Sequence, residues 1–267
     1  MRPFVLAISM SASLDNSSPA VVERVPRRSP WQFSLAALLV GMAGAALVFG
    51  LAFYFVRAVD GARDGARHSS CRGHLKQLVL GLHNYHDHFG CFPPAYVADA
   101  NGKPMHSWRV LILPYIEEGA LYDAYDFSQP WNSRANLQLA AQMPRTYCCP
   151  SRESERATGI THYAAIVGPG TAWPGATATR FSQFTDGTDE TLLLVETHDG
   201  NICWLEPRDL PLASLPLEIN PPGKPGISSR HIPGANAALA DGSVPTLSVE
   251  EMTPEILKAL LTIAGGD

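Results

Sequence analysis

Residues 33–56 read FSLAALLVGMAGAALVFGLAFYFV, a run without one Asp, Glu, Lys or Arg. Coiled as a helix it would be about 36 Å long, enough to cross a hydrocarbon layer of about 30 Å. Core helices of globular proteins rarely stay apolar on every face, and the apolar region of a cleaved signal peptide usually ends after about 7–15 residues. The run therefore predicts a retained transmembrane helix over residues 31–56, with the lipid bilayer as partner of residues 33–56. Ahead of it, residues 1–30 are rich in Ser and Pro (Ser9, Ser11, Ser13, Ser17, Ser18, Pro19, Pro26, Pro30) and poor in large apolar groups after the first eight positions. Such a segment cannot bury enough surface to offset its ordering entropy, so a disordered tail is expected. Arg24, Arg27 and Arg28 precede the span, and Arg57, Arg63, Arg67, Arg72 and Lys76 follow it. That count leans slightly against an inside N-terminus. It carries little weight, because Asp60 and Asp64 interleave with the following arginines and long domains translocate regardless of flanking charge.

Beyond the span, Leu75, Leu78, Val79 and Leu82 recur at i, i+3, i+4 and i+7, which predicts one apolar stripe on a helix reaching about His86 and stopping at Gly90. Asp60-Gly61 and Asp64-Gly65 predict a break or hinge between span and helix, because glycine weakens a helix interior. Further helices are expected over Pro114–Tyr125 and Asn132–Gln142. Short β-type runs follow at Thr161–Val167, Thr191–Glu196, Ile202–Leu205, Ala237–Ala240 and Val244–Ser248, separated by Asp-Gly and Pro-rich turns. The prolines between Pro207 and Pro225 mark a surface loop, and Pro254 opens a last helix to about Ile263. The fold class expected is α+β: a long N-terminal helix, span plus spine, packed on an antiparallel sheet with long loops.

With 46% apolar and 17% charged residues in 267, the chain can bury one sizeable core. A net charge of −5 argues against nucleic acid as a partner, since phosphate binding needs a concentrated Lys/Arg surface. The five cysteines, Cys71, Cys91, Cys148, Cys149 and Cys203, form no CxxC pair and no zinc-type Cys/His spacing, so neither a structural zinc nor any other cofactor is expected. His83, His86 and His88 share part of a helix but lack an HExxH arrangement and read as packing residues. The Asp-Gly pairs at 186–187, 199–200 and 241–242 read as turns rather than calcium loops. No G-x-S-x-G elbow accompanies His231 and Asp241, and Gly168-Pro169-Gly170 lacks the rest of a phosphate loop, so no enzymatic activity is expected.

Several stretches carry a resemblance. Cys71-Arg-Gly-His-Leu-Lys-Gln-Leu-Val-Leu-Gly-Leu-His-Asn-Tyr-His86 is followed by Gly90-Cys-Phe-Pro-Pro94, Ser107-Trp-Arg-Val-Leu-Ile-Leu-Pro-Tyr115, Cys149-Pro-Ser151, Thr185-Asp-Gly-Thr188 and Glu196. Nine residues then separate His231 from Asp241-Gly-Ser-Val244. Over about residues 57–267 the chain resembles a planctomycete-type family of unknown function that pairs a prepilin-like N-terminus with a C-terminal H-x9-DG motif. Its members are sometimes grouped by name with solute-binding proteins. The resemblance implies a pilin-like domain outside the cytoplasm over residues 57–267, anchored by a single pass in the inner membrane of a bacterial envelope, with residues 1–30 inside the cell.

Phe33-Ser34-Leu35 echoes the prepilin signature, but Gln32 stands where that signature has Gly and Ala37 where it has Glu. This implies an uncleaved anchor. The function expected is a structural or assembly component, with a homo-oligomer or other envelope proteins as partners. The alternative is an anchored receptor for a solute or polymer, which a deep pocket lined by Trp108, Trp131, Trp173 or Trp204 would indicate. Cys71 and Cys149 coincide with the family's recurring cysteines, which implies a disulfide between them, with Cys148 as the competing partner. His231, Asp241 and Gly242 are expected to fix the C-terminal hairpin, with Asp241-Gly242 as its tight turn.

Overall fold

The computed structural model describes residues 34–265. The expected tail over residues 1–30 lies outside them. The chain divides into two compact units, one ending at Phe55 and the other beginning at Val56. In the first unit, residues 35–55 are helical, and large apolar side chains such as Leu47, Phe49 and Phe53 are exposed. This helix is long and apolar enough to cross a membrane, and none of its most apolar 18-residue stretch is buried.

The elements in chain order are α1 (Leu35–Phe89), β1 (Tyr96–Ala98), β2 (Pro104–Ser107), α2 (Trp108–Leu111), α3 (Gly119–Ala124) and α4 (Arg134–Leu137). They continue with β3 (Ile160–Thr161), β4 (Tyr163–Ala164), β5 (Ile166–Val167), β6 (Leu192–Glu196), β7 (Ile202–Cys203), β8 (Leu210–Pro211), β9 (Gly234–Leu239), β10 (Thr246–Ser248) and α5 (Pro254–Leu260). The α+β class is as the sequence predicts: a long helix followed by antiparallel pairings, the main sheet running β10-β9-β6-β4.

The two faces of that sheet carry separate apolar clusters, the two-residue alternation along β6 being shifted by an irregularity between Leu192 and Leu194. Tyr163, Leu194 and Ala238 belong to one apolar cluster with Cys71, Leu75, Leu78, Val79 and Leu82 of α1. Ala164, Leu192, Val195, Ala235, Ala237 and Leu239 belong to a second cluster with Leu257 of α5 and Leu261. The stripe read from the sequence on α1 is thus the one buried, at no more than 1% exposure. Gly81 lies on the same buried side because a Cβ there would come within 2.7 Å of Ile116.

Four expectations need correction. The second unit's part of α1 is helical without a break at Gly61 or Gly65. Each glycine costs only about 1 kcal/mol, and the ion pairs Arg63–Asp60 and Arg67–Asp64 offset a few tenths. The helix expected over Pro114–Tyr125 is divided at Glu117, which adopts a left-handed φ of 66° between a 3-10 turn and α3. The one expected over Asn132–Gln142 is likewise divided into α4 and a 3-10 turn at Ala140–Gln142. The run Thr161–Val167 becomes three two-residue strands with different partners: β3 pairs with β7, β4 with β6, and β5 in parallel with β8.

Candidate functional site

Four side chains from four separate segments converge beneath the sheet. Cys71 is brought by the buried stripe of α1, and Glu196 ends β6 on the face that also carries Leu194. Cys149 follows the 3-10 turn Arg145–Tyr147, and His231 comes just before β9. All four are buried, at 0%, 2%, 8% and 8% exposure in that order. The sulfurs of Cys71 and Cys149 are 3.2 Å apart. Cys149 Sγ stands 3.5 Å from His231 Nε2, which is itself 3.9 Å from Glu196 Oε1. One ligand-type atom from each of the four residues lies within 4.8 Å of all the others.

The protons do not suffice for this arrangement. The S–H of Cys71 faces two acceptors, Cys149 Sγ and Glu196 Oε1, and Tyr163 Oη stands 3.0 Å from the same sulfur. The hydrogen bond with Cys149, then burial and the nearby Glu196, push the Cys71 thiol upward. Conversely, the hydrogen bond from Cys71 and the contact with His231 hold Cys149 far below an ordinary thiol, making it the sulfur that ionises first. The hydrogen bond with Cys149 raises His231, while burial raises Glu196.

A supporting layer fixes these groups. Asn236 donates its backbone N–H (2.7 Å) and its side-chain amide (3.1 Å) to Glu196 Oε2, leaving Oε1 turned toward the sulfurs. Asn236 Oδ1 in turn accepts from Thr246 Oγ1 and lies 2.9 Å from His68 Nε2. The His68 ring stacks on His231 with centroids 4.9 Å apart. The backbone N–H of Cys149 donates to His162 Nδ1.

The constellation can form a disulfide or ligate a cation. It is poorly arranged for triad chemistry. A Cys–His nucleophile pair needs its orienting carboxylate on the other imidazole nitrogen, whereas Cys149 and Glu196 both approach Nε2.

The other candidates from the sequence lie elsewhere. Asp241-Gly242 occupies the turn between β9 and β10: Gly242 has φ +90° and donates to Leu239 O, and Ser243 N donates to Asp241 Oδ1. His231 precedes β9 and Asp241 follows it, so the hairpin does not bring the two together. His231 faces Cys149 instead. Cys148, the competing disulfide partner, turns its sulfur to the carbonyls of Cys149 and Arg152. His83 and His86 pack on Phe92 and Phe181, His88 on Phe89 and Tyr115. Trp108, Trp173 and Trp204 are core residues with at most 1% exposure.

Sequence reading missed the quartet because no two of its members are close in sequence. Glu196 entered only as a matched position, and Asn236 not at all. The available signal was a carboxylate closing the otherwise apolar strand LLLVE, where every residue is buried.

Residues 60–178 match the model of a family named SBP_bac_10, described as a protein of unknown function (DUF1559). No curated protein and no solved structure matches the chain.

Proposed function

We propose that the chain is a single-pass protein of the inner membrane of a bacterial envelope. In this reading residues 33–56 lie in the bilayer, the N-terminus stays in the cytoplasm, and the part from residue 57 onward stands outside. That part works as a non-enzymatic structural or assembly component of pilin-like build. The observation that carries the reading is the apolar stretch of α1, unburied along its whole length. Burying such a stretch in hydrocarbon removes an apolar surface that water would otherwise have to cover. Protease added to spheroplasts is expected to digest the C-terminal part and leave the N-terminal tail intact. Full protection of residues 57–267 overturns the topology.

One observation favours the second reading, an anchored receptor. A cleft of about 530 Å³ opens between Tyr96, Val167, Leu210, Pro211 and Leu215, with Arg208 at its wall. Its size and mostly apolar lining match small-molecule sites, which usually span about 300–1,000 Å³. The loop between Pro207 and Pro225 supplies most of this lining. If the cleft is a receptor site, full-length protein in nanodiscs will show a saturable thermal shift with some member of a panel of small amphiphiles. Leu215→Trp, which fills the cleft, will abolish it. No saturable shift across the panel excludes the receptor reading.

A further inference from the structure

We propose that in its dithiol form the domain holds one tetrahedrally coordinated zinc-type cation on Cys71 Sγ, Cys149 Sγ, His231 Nε2 and a carboxylate oxygen of Glu196. This inference is independent of the anchor, because all four residues lie in the unit that begins at Val56.

The donor set suits Zn²⁺. Thiolate and imidazole are its commonest ligands, a carboxylate oxygen is a frequent third type, and four-coordinate sites are the rule for a closed, buried centre. Three of the separations come close to those of a tetrahedral centre. Bond lengths of about 2.0–2.3 Å imply tetrahedron edges of roughly 3.3–3.8 Å between donors. The sulfurs lie 3.2 Å apart, Cys149 Sγ and His231 Nε2 3.5 Å, and His231 Nε2 and Glu196 Oε1 3.9 Å. The short edge is Cys71 Sγ to Glu196 Oε1 at 2.5 Å, a proton-sharing contact that would open by about 1 Å as the cation replaces the proton.

Charge points the same way. Two thiolates and a carboxylate buried beside one imidazole are costly to desolvate, and a dication reduces their sum to −1. An outer layer of ligand-orienting hydrogen bonds is also built. Asn236 holds Glu196 Oε2 with two donors, and Tyr163 Oη meets Cys71 Sγ. An ion has a way in: a cavity of about 500 Å³ lined by Asp64, Arg67, His68, Ser151, Arg230 and His231 reaches the imidazole.

The cation and a Cys71–Cys149 disulfide exclude each other, because both use the same sulfur electron pairs. Oxidation would proceed by exchange with a disulfide carrier of the compartment. The carrier's S–S bond breaks, the Cys71–Cys149 bond forms, and two electrons pass to the carrier, which leaves as a dithiolate and takes its two protons from water while the ion returns to solution.

The test uses the full-length chain in detergent micelles, reduced with a phosphine and titrated anaerobically with Co²⁺, then with Zn²⁺ against a chromophoric chelator. The expected result is one equivalent of Co²⁺ with the visible absorption of a tetrahedral centre and thiolate-to-cobalt charge transfer, displaced by Zn²⁺. Asn236→Ala should weaken Zn²⁺ binding by about 10–100-fold, the usual effect of removing a ligand-orienting partner. Cys149→Ser should weaken it further, whereas Cys91→Ser and Cys203→Ser leave it unchanged. The proposal is overturned if the reduced wild-type protein takes up no Co²⁺ with thiolate charge transfer, a measurement that needs no variant to fold. Uptake that survives Cys71→Ser with Cys149→Ser overturns it equally.

Discussion

Asp209→Asn is expected to lower the unfolding free energy of the domain by about 3–5 kcal/mol, the cost of stripping one partner from a buried ion pair. Arg109 and Asp209 have side chains 0% and 1% exposed. The guanidinium reaches both carboxylate oxygens, Nη2 to Oδ1 at 2.5 Å and Nη1 to Oδ2 at 3.4 Å. It also donates to Ser107 Oγ and to Tyr163 O. The carboxylate further accepts from Trp108 Nε1 and from the backbone N–H of Ala165. This one pair therefore ties together β2, α2, β4 and the segment before β8. Asparagine keeps the shape but leaves the arginine charge without its counterion, in a place water cannot reach. Urea unfolding of the full-length protein, followed by circular dichroism, gives the value. Arg109→Met combined with Asp209→Leu should cost less than the two single changes added, because neither charge is then left alone. A loss below about 1 kcal/mol for Asp209→Asn would show that the pair is not structurally required.

The parts of this molecule legible in sequence are those set by local pattern. The charge-free run and the Leu75–Leu78–Val79–Leu82 stripe are each legible from composition and helix period; residues 35–56 of the run and the whole stripe occur as helix with the expected exposure. Asp241-Gly242 was readable as a turn because a tight hairpin needs positive φ there, and Gly242 supplies it. The strand expected over Thr191–Glu196 occurs as Leu192–Glu196, legible from the apolar run Leu192–Val195. What sequence did not yield depends on distant packing. The expected hinge at Gly61 and Gly65 failed because the helix there costs little to continue and the Asp–Arg pairs assist it. The hairpin of β1 and β2 has no strong β pattern, since Pro104 opens its second strand. The cysteine–glutamate–histidine quartet has members 78, 125 and 82 positions apart along the chain. No spacing rule for zinc or disulfides reaches so far, and only the packing of α1 against β6 and its neighbours reveals the site.

Oxidising the pair Cys71 and Cys149 is expected to raise the unfolding free energy of the metal-free protein by about 2–4 kcal/mol over the dithiol form. The gain comes from the unfolded chain, whose freedom is reduced by a link between positions 78 apart. Loop closure over that length would contribute about 4–5 kcal/mol on the chain-entropy model. The expected value is lower for a reason visible in the site. Once Cys71 is bonded to Cys149 its S–H is gone, and Glu196 Oε1 keeps only the His231 side as a partner. The buried carboxyl, already raised by burial, then has to hold a proton or share the imidazole's, which returns part of the gain. Closure itself asks little of the backbone, because the sulfurs need to approach by only about 1.1 Å to reach bonding distance. Two measurements decide the matter. Non-reducing peptide mapping of the full-length protein should join Cys71 to Cys149 and leave Cys148 free, and chemical unfolding of oxidised and reduced samples in chelator should differ by the stated amount. Adding Zn²⁺ to the reduced sample should then recover stability in proportion to the logarithm of its concentration, an effect the disulfide form cannot show. A map that joins Cys71 to Cys91 or Cys203, or equal stability of the two forms, would rule out this pairing as the lock of the domain.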